Sequence, residues 1–124
     1  MADTSLQVEL VAADRVVWSG QADEVVARTV EGDLGVLVGH APLLSVLVPG
    51  VVKIKAGSET VVAVVEDGFL SVADDRVSIL SEDTSLVSEL DREQVQAELE
   101  QARSADDTDA VLRAEAKLRG IELA

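Results

Sequence analysis

Short apolar runs separated by turn-forming residues fill the chain from Leu6 to about Leu80. Several runs alternate strictly, as in LQVEL at 6–10, where the leucines and valine share one face and Gln7 and Glu9 the other. A period of two is typical of β-strands that have one face in water. Regular spacing of such runs predicts nine or ten strands packed as two sheets, a β-sandwich.

One run departs from this alternation. The five residues VVAVV, Val61–Val65, are apolar at every position. Such a strand is either covered on both sides within its own fold or has one face that lies against a partner. The sequence leaves both interpretations open.

The composition changes after about Val87, where helix-forming Glu, Gln, Ala, Arg and Leu replace β-branched residues. Either Ser88 or Asp91 is placed to cap a first helix. Two apolar stripes with helical spacing flank the polar link SADDTD at 104–109 and predict an antiparallel helical hairpin. The stripes consist of Val95, Leu99 and Ala102, and of Val111, Ala114, Leu118 and Ile121.

This hairpin is expected to be the least firmly held part of the molecule. Its stripes are narrow and rich in alanine, so each helix buries little apolar area, and burial is the main stabilising contribution. The predicted division is therefore a β-sandwich domain over residues 1–87 and a helical hairpin domain over residues 88–124. The fold class is mainly β.

The chain is strongly acidic, with 24 acids against 10 bases and a formal net charge of −14 in 124 residues. This charge repels nucleic acid and anionic lipid surfaces. There is no cysteine, which excludes disulfides and thiolate metal sites. No apolar run approaches the ~18 residues that span a bilayer, so the sequence indicates a soluble, cytosolic chain without membrane insertion.

The stretch EGDLGVLVGHAPLLSVLVPG, Glu31–Gly50, holds the candidate chemistry. Its glycine spacing matches neither a P-loop nor a dinucleotide-binding fingerprint, and it is typical of bends and bulges in a curved sheet. The single histidine, His40, has only Ser45 as a nearby nucleophile, without the glycine-bounded turn that exposes a catalytic serine. One histidine without cysteine also makes no metal site. We therefore expect neither a catalytic nor a metal residue.

Two further sets of charged residues are candidate functional sites, but each also has an ordinary structural explanation. The acid pairs Glu66–Asp67 and Asp74–Asp75 fall in predicted tight turns, where we expect them to be solvated. The bases Arg113, Lys117 and Arg119 cluster on the second predicted helix. They are either ordinary surface charge or a small basic contact for an acidic partner.

Three segments carry a resemblance to a known family: WSG at 18–20, the glycine-rich stretch at 31–50, and DGFLSV at 67–72. In order and spacing they resemble the epsilon subunit of the bacterial F-type ATP synthase, over essentially the whole chain. The resemblance implies a ten-stranded β-sandwich followed by a two-helix hairpin. It also implies a noncatalytic rotor subunit of the central stalk that couples proton translocation to ATP synthesis.

The same resemblance implies partners and a location. The partners are the gamma subunit, the ring of membrane c subunits and the alpha/beta catalytic hexamer, without cofactor, nucleic acid or homo-oligomer. The location is peripheral, at the cytoplasmic face of the bacterial cell membrane. The helical hairpin is expected to inhibit ATP hydrolysis when it extends into the hexamer.

Site residues follow from the resemblance in the same way. The segment Glu31, Gly32 and Asp33 is expected to face the polar loops of the c ring, with Asp33 as the first choice for the electrostatic contact and Glu31 as the second. His40 is counted with them among the residues at the c-ring contact, and His40 and Pro42 are expected to be structural members of the same end.

In the hairpin, the family resemblance implies two functions. Arg113, Lys117 and Arg119 are expected to meet acidic segments of the catalytic beta subunits. Some members bind ATP through a motif that begins with Leu90 and Asp91 here, but Gln94 and Val95 stand where the motif has Arg-Ala. Loss of that guanidinium predicts weak or absent ATP binding.

A different class of function competes with this one. A free-standing β-sandwich that binds a nucleotide or another small ligand would have a closed surface and one deep pocket. A large exposed apolar area would instead favour a protein partner.

Overall fold

The computed structural model describes residues 5–123 and has ten strands followed by two α-helices. A 3₁₀ turn at Val87–Glu89 joins the two parts. The helices are α1 (Arg92–Ser104) and α2 (Thr108–Leu123). The strands are β1 (Leu6–Val11), β2 (Val16–Ala22), β3 (Glu24–Thr29), β4 (Gly32–Leu37), β5 (Leu43–Leu47), β6 (Gly50–Ala56), β7 (Glu59–Val65), β8 (Gly68–Ala73), β9 (Arg76–Ser81) and β10 (Thr84–Leu86).

The strands form two layers that are joined at one corner. The first sheet has the order β4-β3-β6-β7-β10, and the second has the order β5-β8-β9-β1-β2. A single pair, Thr29 with Leu47, links β3 to β5 and makes the corner between them. Strands β1 and β9 are parallel, and the other pairs are antiparallel.

Aliphatic side chains from both sheets fill the space between the layers. The alternation in β1 works as predicted, because its leucines and valine are buried while Gln7 and Glu9 are exposed. The fully buried side chains include Leu6, Leu10, Leu47, Ile54, Leu70 and Ile79. The predicted mainly β fold, a ten-stranded β-sandwich followed by two helices, is confirmed.

The apolar strand β7 is covered on both sides. Ala63 and Val65 face the core between the sheets. Val62 and Val64 face outward and pack with Ala116 of α2. Of the two interpretations left open by the sequence, the first holds, and the cover comes from the chain's own second helix.

The first helix begins at Arg92, and Asp91 caps it. The Asp91 carboxylate accepts a hydrogen bond from the Glu93 amide at 3.0 Å. Ser88 lies within the 3₁₀ turn instead, so of the two candidate caps it is the wrong one. Val95, Leu99 and Ala102 are buried, as their spacing predicts.

The second helix docks on the outer face of the first sheet. Gly120 makes this close approach possible, since a Cβ there would lie 2.7 Å from Cγ2 of Val64 and 3.1 Å from Cγ2 of Val87. Helix α1 packs against α2 through a cluster that includes Val95, Leu99 and Ala114. The hairpin is therefore attached to the sandwich mainly through α2.

Candidate functional site

The turn between β3 and β4 is ordered by its own side chains. The Thr29 hydroxyl donates to the Gly32 carbonyl at 2.9 Å and accepts from the Glu31 amide at 3.1 Å. Gly32 has a φ of 118°, which a residue with a side chain rarely adopts. The turn therefore holds Glu31 at an exposed tip.

The two acids of this turn differ in their partners. Asp33 lies opposite Arg28 in the strand register, and its Oδ1 accepts from the Arg28 Nε at 3.1 Å. The Glu31 carboxylate makes no hydrogen bond or ion pair with any residue from 5 to 123. Of these two carboxylates, that of Asp33 is therefore paired within residues 5–123 and that of Glu31 is not.

His40 lies beyond the far end of β4 from this turn. Strand β4 has six residues, so its two ends are about 17 Å apart at the usual rise of a strand. The His40 Nδ1 donates to the Ala41 carbonyl at 2.7 Å, and the Gly39 amide donates to Asp75 Oδ1 at 2.7 Å. The Gly39 amide and the His40 ring therefore order the β4–β5 connection, and the structure does not bring His40 or Pro42 together with Glu31.

The outer face of the second sheet carries three exposed apolar side chains in a line, which we call the apolar row. Val46 of β5 is paired with Phe69 of β8, and Phe69 is paired with Leu80 of β9. They are 45%, 52% and 52% exposed, and Leu44 beside them is 71% exposed. A groove of about 570 Å³ runs along the row. Contiguous exposed apolar surface of this kind marks a protein interaction site.

One part of the apolar row can be predicted from the sequence of β5. In LLSVL, Leu43–Leu47, apolar residues occupy both faces of the strand. Inward Leu47 belongs to the core, whereas Leu44 and Val46 point outward. Only the strand pairing shows that Phe69 and Leu80 lie beside Val46.

The basic residues of the hairpin are partly engaged in the docked form. The Arg113 Nε contacts Glu66 Oε1 at 3.1 Å, which joins α2 to the sandwich. The Lys117 Nζ contacts Glu98 Oε2 at 3.3 Å, which joins α2 to α1. Arg119 is exposed. The three bases do not form one free basic face.

Glu66 is not the solvated turn residue that its sequence context predicts. Its side chain is half-buried beside Asp83, because α2 lies over the β7–β8 connection. Burial, reinforced by the negative charge of Asp83, raises the pKa of the Glu66 carboxyl, while Arg113 acts in the opposite direction. The expectation of solvation was wrong here because the cover comes from a distant part of the chain.

The segment between sandwich and hairpin is tied to the sandwich. Arg15 Nη2, in the β1–β2 turn, donates to the two carboxylate oxygens of Glu89 at 3.1 and 3.2 Å. The hydrogen bond from Arg15 lowers the pKa of the Glu89 carboxyl, as does the Leu86 amide. Leu90, which follows, packs beside α2, and both Leu90 and Asp91 have extended backbones. Leu90 and Asp91 are therefore the extended residues that link the tied 3₁₀ turn to α1.

Among the described residues, no group of three or more histidine, cysteine or acidic side chains is placed to hold a metal ion. Within the same part of the chain, no helix has the length and apolar character needed to cross a membrane.

Comparison with known proteins decides the family. The family model for the β-sandwich domain of the ATP synthase delta/epsilon chain matches residues 5–87. The ATP synthase epsilon chain of Streptomyces avermitilis is 51% identical over 117 residues, which cover 94% of both chains. This chain belongs to the ATP synthase epsilon chain family. The ATP synthase epsilon chain of Rhodococcus jostii agrees, with 46% identity over 96% of this chain and 98% of the relative.

Two solved structures resemble this epsilon chain in fold. A chain in the Euglena gracilis mitochondrial ATP synthase, solved as OSCP, F1 and c-ring, has a TM-score of 0.74 and 26% identity. The match covers 97% of this chain and 79% of that one. A chain of the Tetrahymena thermophila central stalk and c-ring, with a TM-score of 0.64 and 20% identity over 94% and 96%, shares the fold. The epsilon chain is a noncatalytic component of the ATP synthase stalk.

Proposed function

We propose that this epsilon chain couples rotation to ATP synthesis through three surfaces. The apolar row of the second sheet holds the gamma subunit. The β3–β4 turn meets the c ring. The hairpin leaves the sandwich to restrain ATP hydrolysis in the alpha/beta hexamer. The observation that carries the proposal is the apolar row, because it is open on one sheet while the chain's own helix already covers the other.

The chemistry of the apolar row suits a permanent partner. Val46, Phe69 and Leu80 lie on adjacent strands of a regular sheet, so they present a firm surface without a large cost of ordering. Phe69 is the only phenylalanine of the chain and lies at the centre of the row. Central aromatic residues contribute most of the binding energy in such interfaces. We therefore assign the gamma contact to this row.

Replacing Phe69 with serine is expected to weaken binding to gamma by about 10- to 100-fold, as for loss of a central apolar anchor. Binding of the chain to a matched gamma subunit is measured by calorimetry. The control is Leu112→Ser, which removes an apolar side chain of 50% exposure from α2. Equal affinities for the two variants would move the gamma contact away from the second sheet.

At the c ring, Glu31 rather than Asp33 is proposed to make the main electrostatic contact. Glu31 lies at the exposed tip and has no partner among residues 5–123, whereas Asp33 is engaged by Arg28. The c-ring loops are expected to offer basic groups to this turn. His40 lies in the β4–β5 connection, away from the β3–β4 turn, and we do not assign it a contact with the c ring.

The substitution Glu31→Gln is expected to weaken binding to a purified c ring about two- to fivefold at low salt, the usual size of one exposed ion pair. The difference from the unaltered chain is expected to vanish at high salt. Glu59→Gln, which neutralises an exposed acid in the β6–β7 hairpin, provides the control. A loss caused by Asp33→Asn but not by Glu31→Gln would return the contact to Asp33.

The hairpin is proposed to move as one unit about Leu90–Asp91. The Arg15–Glu89 pair keeps the 3₁₀ turn on the sandwich, so the moving part begins after Glu89. On release, Arg113 leaves Glu66 and becomes available to acidic segments of the beta subunits. Lys117 must in addition leave Glu98 of α1, and Arg119 is already exposed.

Two remaining assignments complete the proposal. Asp91 is engaged as the cap of α1 and Leu90 packs beside α2, so neither presents a free group to ATP. We therefore retain weak or absent ATP binding at that motif, to be tested by calorimetry. The location is proposed to be the cytoplasmic face of the bacterial cell membrane, peripheral and dependent on the complex, which fractionation of cells with and without the c ring tests.

A further inference from the structure

A groove of about 200 Å³ lies between α2 and the outer face of the first sheet. Three cationic side chains line it: Arg28 of β3, Lys53 of β6 and Arg119 of α2. In a chain with only 10 bases against 24 acids, this is a local concentration of positive charge. Val51 and Leu123 are among the apolar residues that line the groove.

Most of this positive charge has no counterpart among residues 5–123. The side chains of Lys53 and Arg119 make no hydrogen bond or ion pair with any residue in the range 5–123. The single acid that lines the groove, Asp33, is taken by the Nε of Arg28, whose terminal nitrogens are still free to donate. Like charges that line one groove repel one another, and a bound anion reduces that repulsion.

From this arrangement we propose that the groove binds one phosphate-class oxyanion between the sandwich and the docked hairpin. Two guanidinium groups offer forked donors that match phosphate oxygens, and Lys53 adds a compact charge. The volume accepts a phosphate group but is below the range of pockets that enclose whole drug-sized ligands. These residues are separate from Leu90 and Asp91 of the degenerate ATP motif.

The three basic residues of the groove come from both parts of the chain, so a bound anion links the sandwich to the hairpin. Arg28 and Lys53 belong to the sandwich, whereas Arg119 belongs to the hairpin. An anion held by all three binds only while α2 is docked, so it stabilises the docked form. At ten times the dissociation constant, the ratio of docked to released hairpin rises about elevenfold. This consequence rests on the proposed movement of the hairpin, whereas the binding itself does not.

The test uses the full ¹⁵N-labelled chain and inorganic phosphate, with sodium chloride adjusted to keep ionic strength constant. We expect a saturable shift of the Arg119 side-chain signal and slower hydrogen exchange of the α2 amides. Lys53→Gln and Arg119→Gln are each expected to weaken binding about tenfold, the loss of one charge-assisted contact. Circular dichroism establishes that both variants remain folded.

Lys55→Gln is the matched control and is expected to bind as the unaltered chain does. Lys55 is the next outward lysine of β6, but it is paired with Glu24 at 3.3 Å and does not line the groove. An equal loss in this control, or a shift no larger than that caused by chloride, would overturn the site. Saturable binding without slower hydrogen exchange in α2 would contradict the proposal that the anion stabilises the docked hairpin.

Two arms of the experiment identify the source of the anion. If ADP binds no more tightly than phosphate, the ligand is free phosphate. If ADP binds more tightly and loses the same affinity in Lys53→Gln, the groove takes the phosphate group of a nucleotide. If ADP binds with the same affinity in Lys53→Gln and Arg119→Gln as in the unaltered chain, and phosphate does not bind, the proposal is contradicted. Because the isolated chain is used, these outcomes do not depend on assembly with gamma or the c ring.

Discussion

Gly68→Ala is expected to destabilise the sandwich by about 3 kcal/mol, the upper range for overpacking a filled site. A Cβ at this position would run into the carbonyl oxygen of Leu80 and would lie 2.9 Å from the Cα of Ser81. Both are backbone atoms of β9, which is paired with β8 on one side and β1 on the other. The strand cannot shift without loosening both pairings. Urea unfolding of the full chain measures the loss.

Gly35→Ala provides the matched control for that measurement. Gly35 lies in strand β4, and the only atom that a Cβ there would approach within 4 Å is the Glu24 carboxylate oxygen, at 3.8 Å. Its backbone does not require a positive φ, so alanine is expected to be neutral or to stabilise by up to about 1 kcal/mol. Equal urea midpoints for the two variants would mean that β9 yields more easily than its pairings indicate.

The sequence was sufficient for the local structure of this protein. Period-two alternation predicted strands such as β1, and apolar stripes predicted both helices, because each pattern is set by residues within a few positions of one another. Strand β7 was ambiguous for the opposite reason. Its outward residues Val62 and Val64 are covered by α2, which begins more than 40 residues later. A periodicity argument contains no information about such distant contacts.

The candidate site shows the same division. The family resemblance located the β3–β4 turn, but the relative roles of its acids depend on the register that places Arg28 beside Asp33. The same hairpin register separates His40 from that turn. Glu66 looked solvated because its partner Arg113 lies 47 positions further along the chain (113 − 66). Charges must be paired in space before their function can be assigned.

Locking the hairpin is expected to have the largest effect on activity. Val64 and Gly120 are in contact where α2 meets the first sheet, and the chain has no cysteine of its own. The double substitution Val64→Cys and Gly120→Cys therefore allows one disulfide, which would hold α2 on the sandwich. If release of the hairpin restrains ATP hydrolysis, oxidation is expected to raise hydrolysis severalfold and reduction to restore the lower rate.

The hairpin's effect on hydrolysis is tested by the ATP hydrolysis rate of a reconstituted stalk and catalytic hexamer that carries the doubly substituted chain, oxidised and then reduced. The Val64→Cys single variant, which keeps Gly120 and cannot form the bond within one chain, provides the control. Fast hydrolysis is expected while the disulfide is present, slow hydrolysis after reduction, and no change between the two conditions in the control. The same rate in both states, with a non-reducing gel showing complete cross-linking, would contradict the hairpin as a brake.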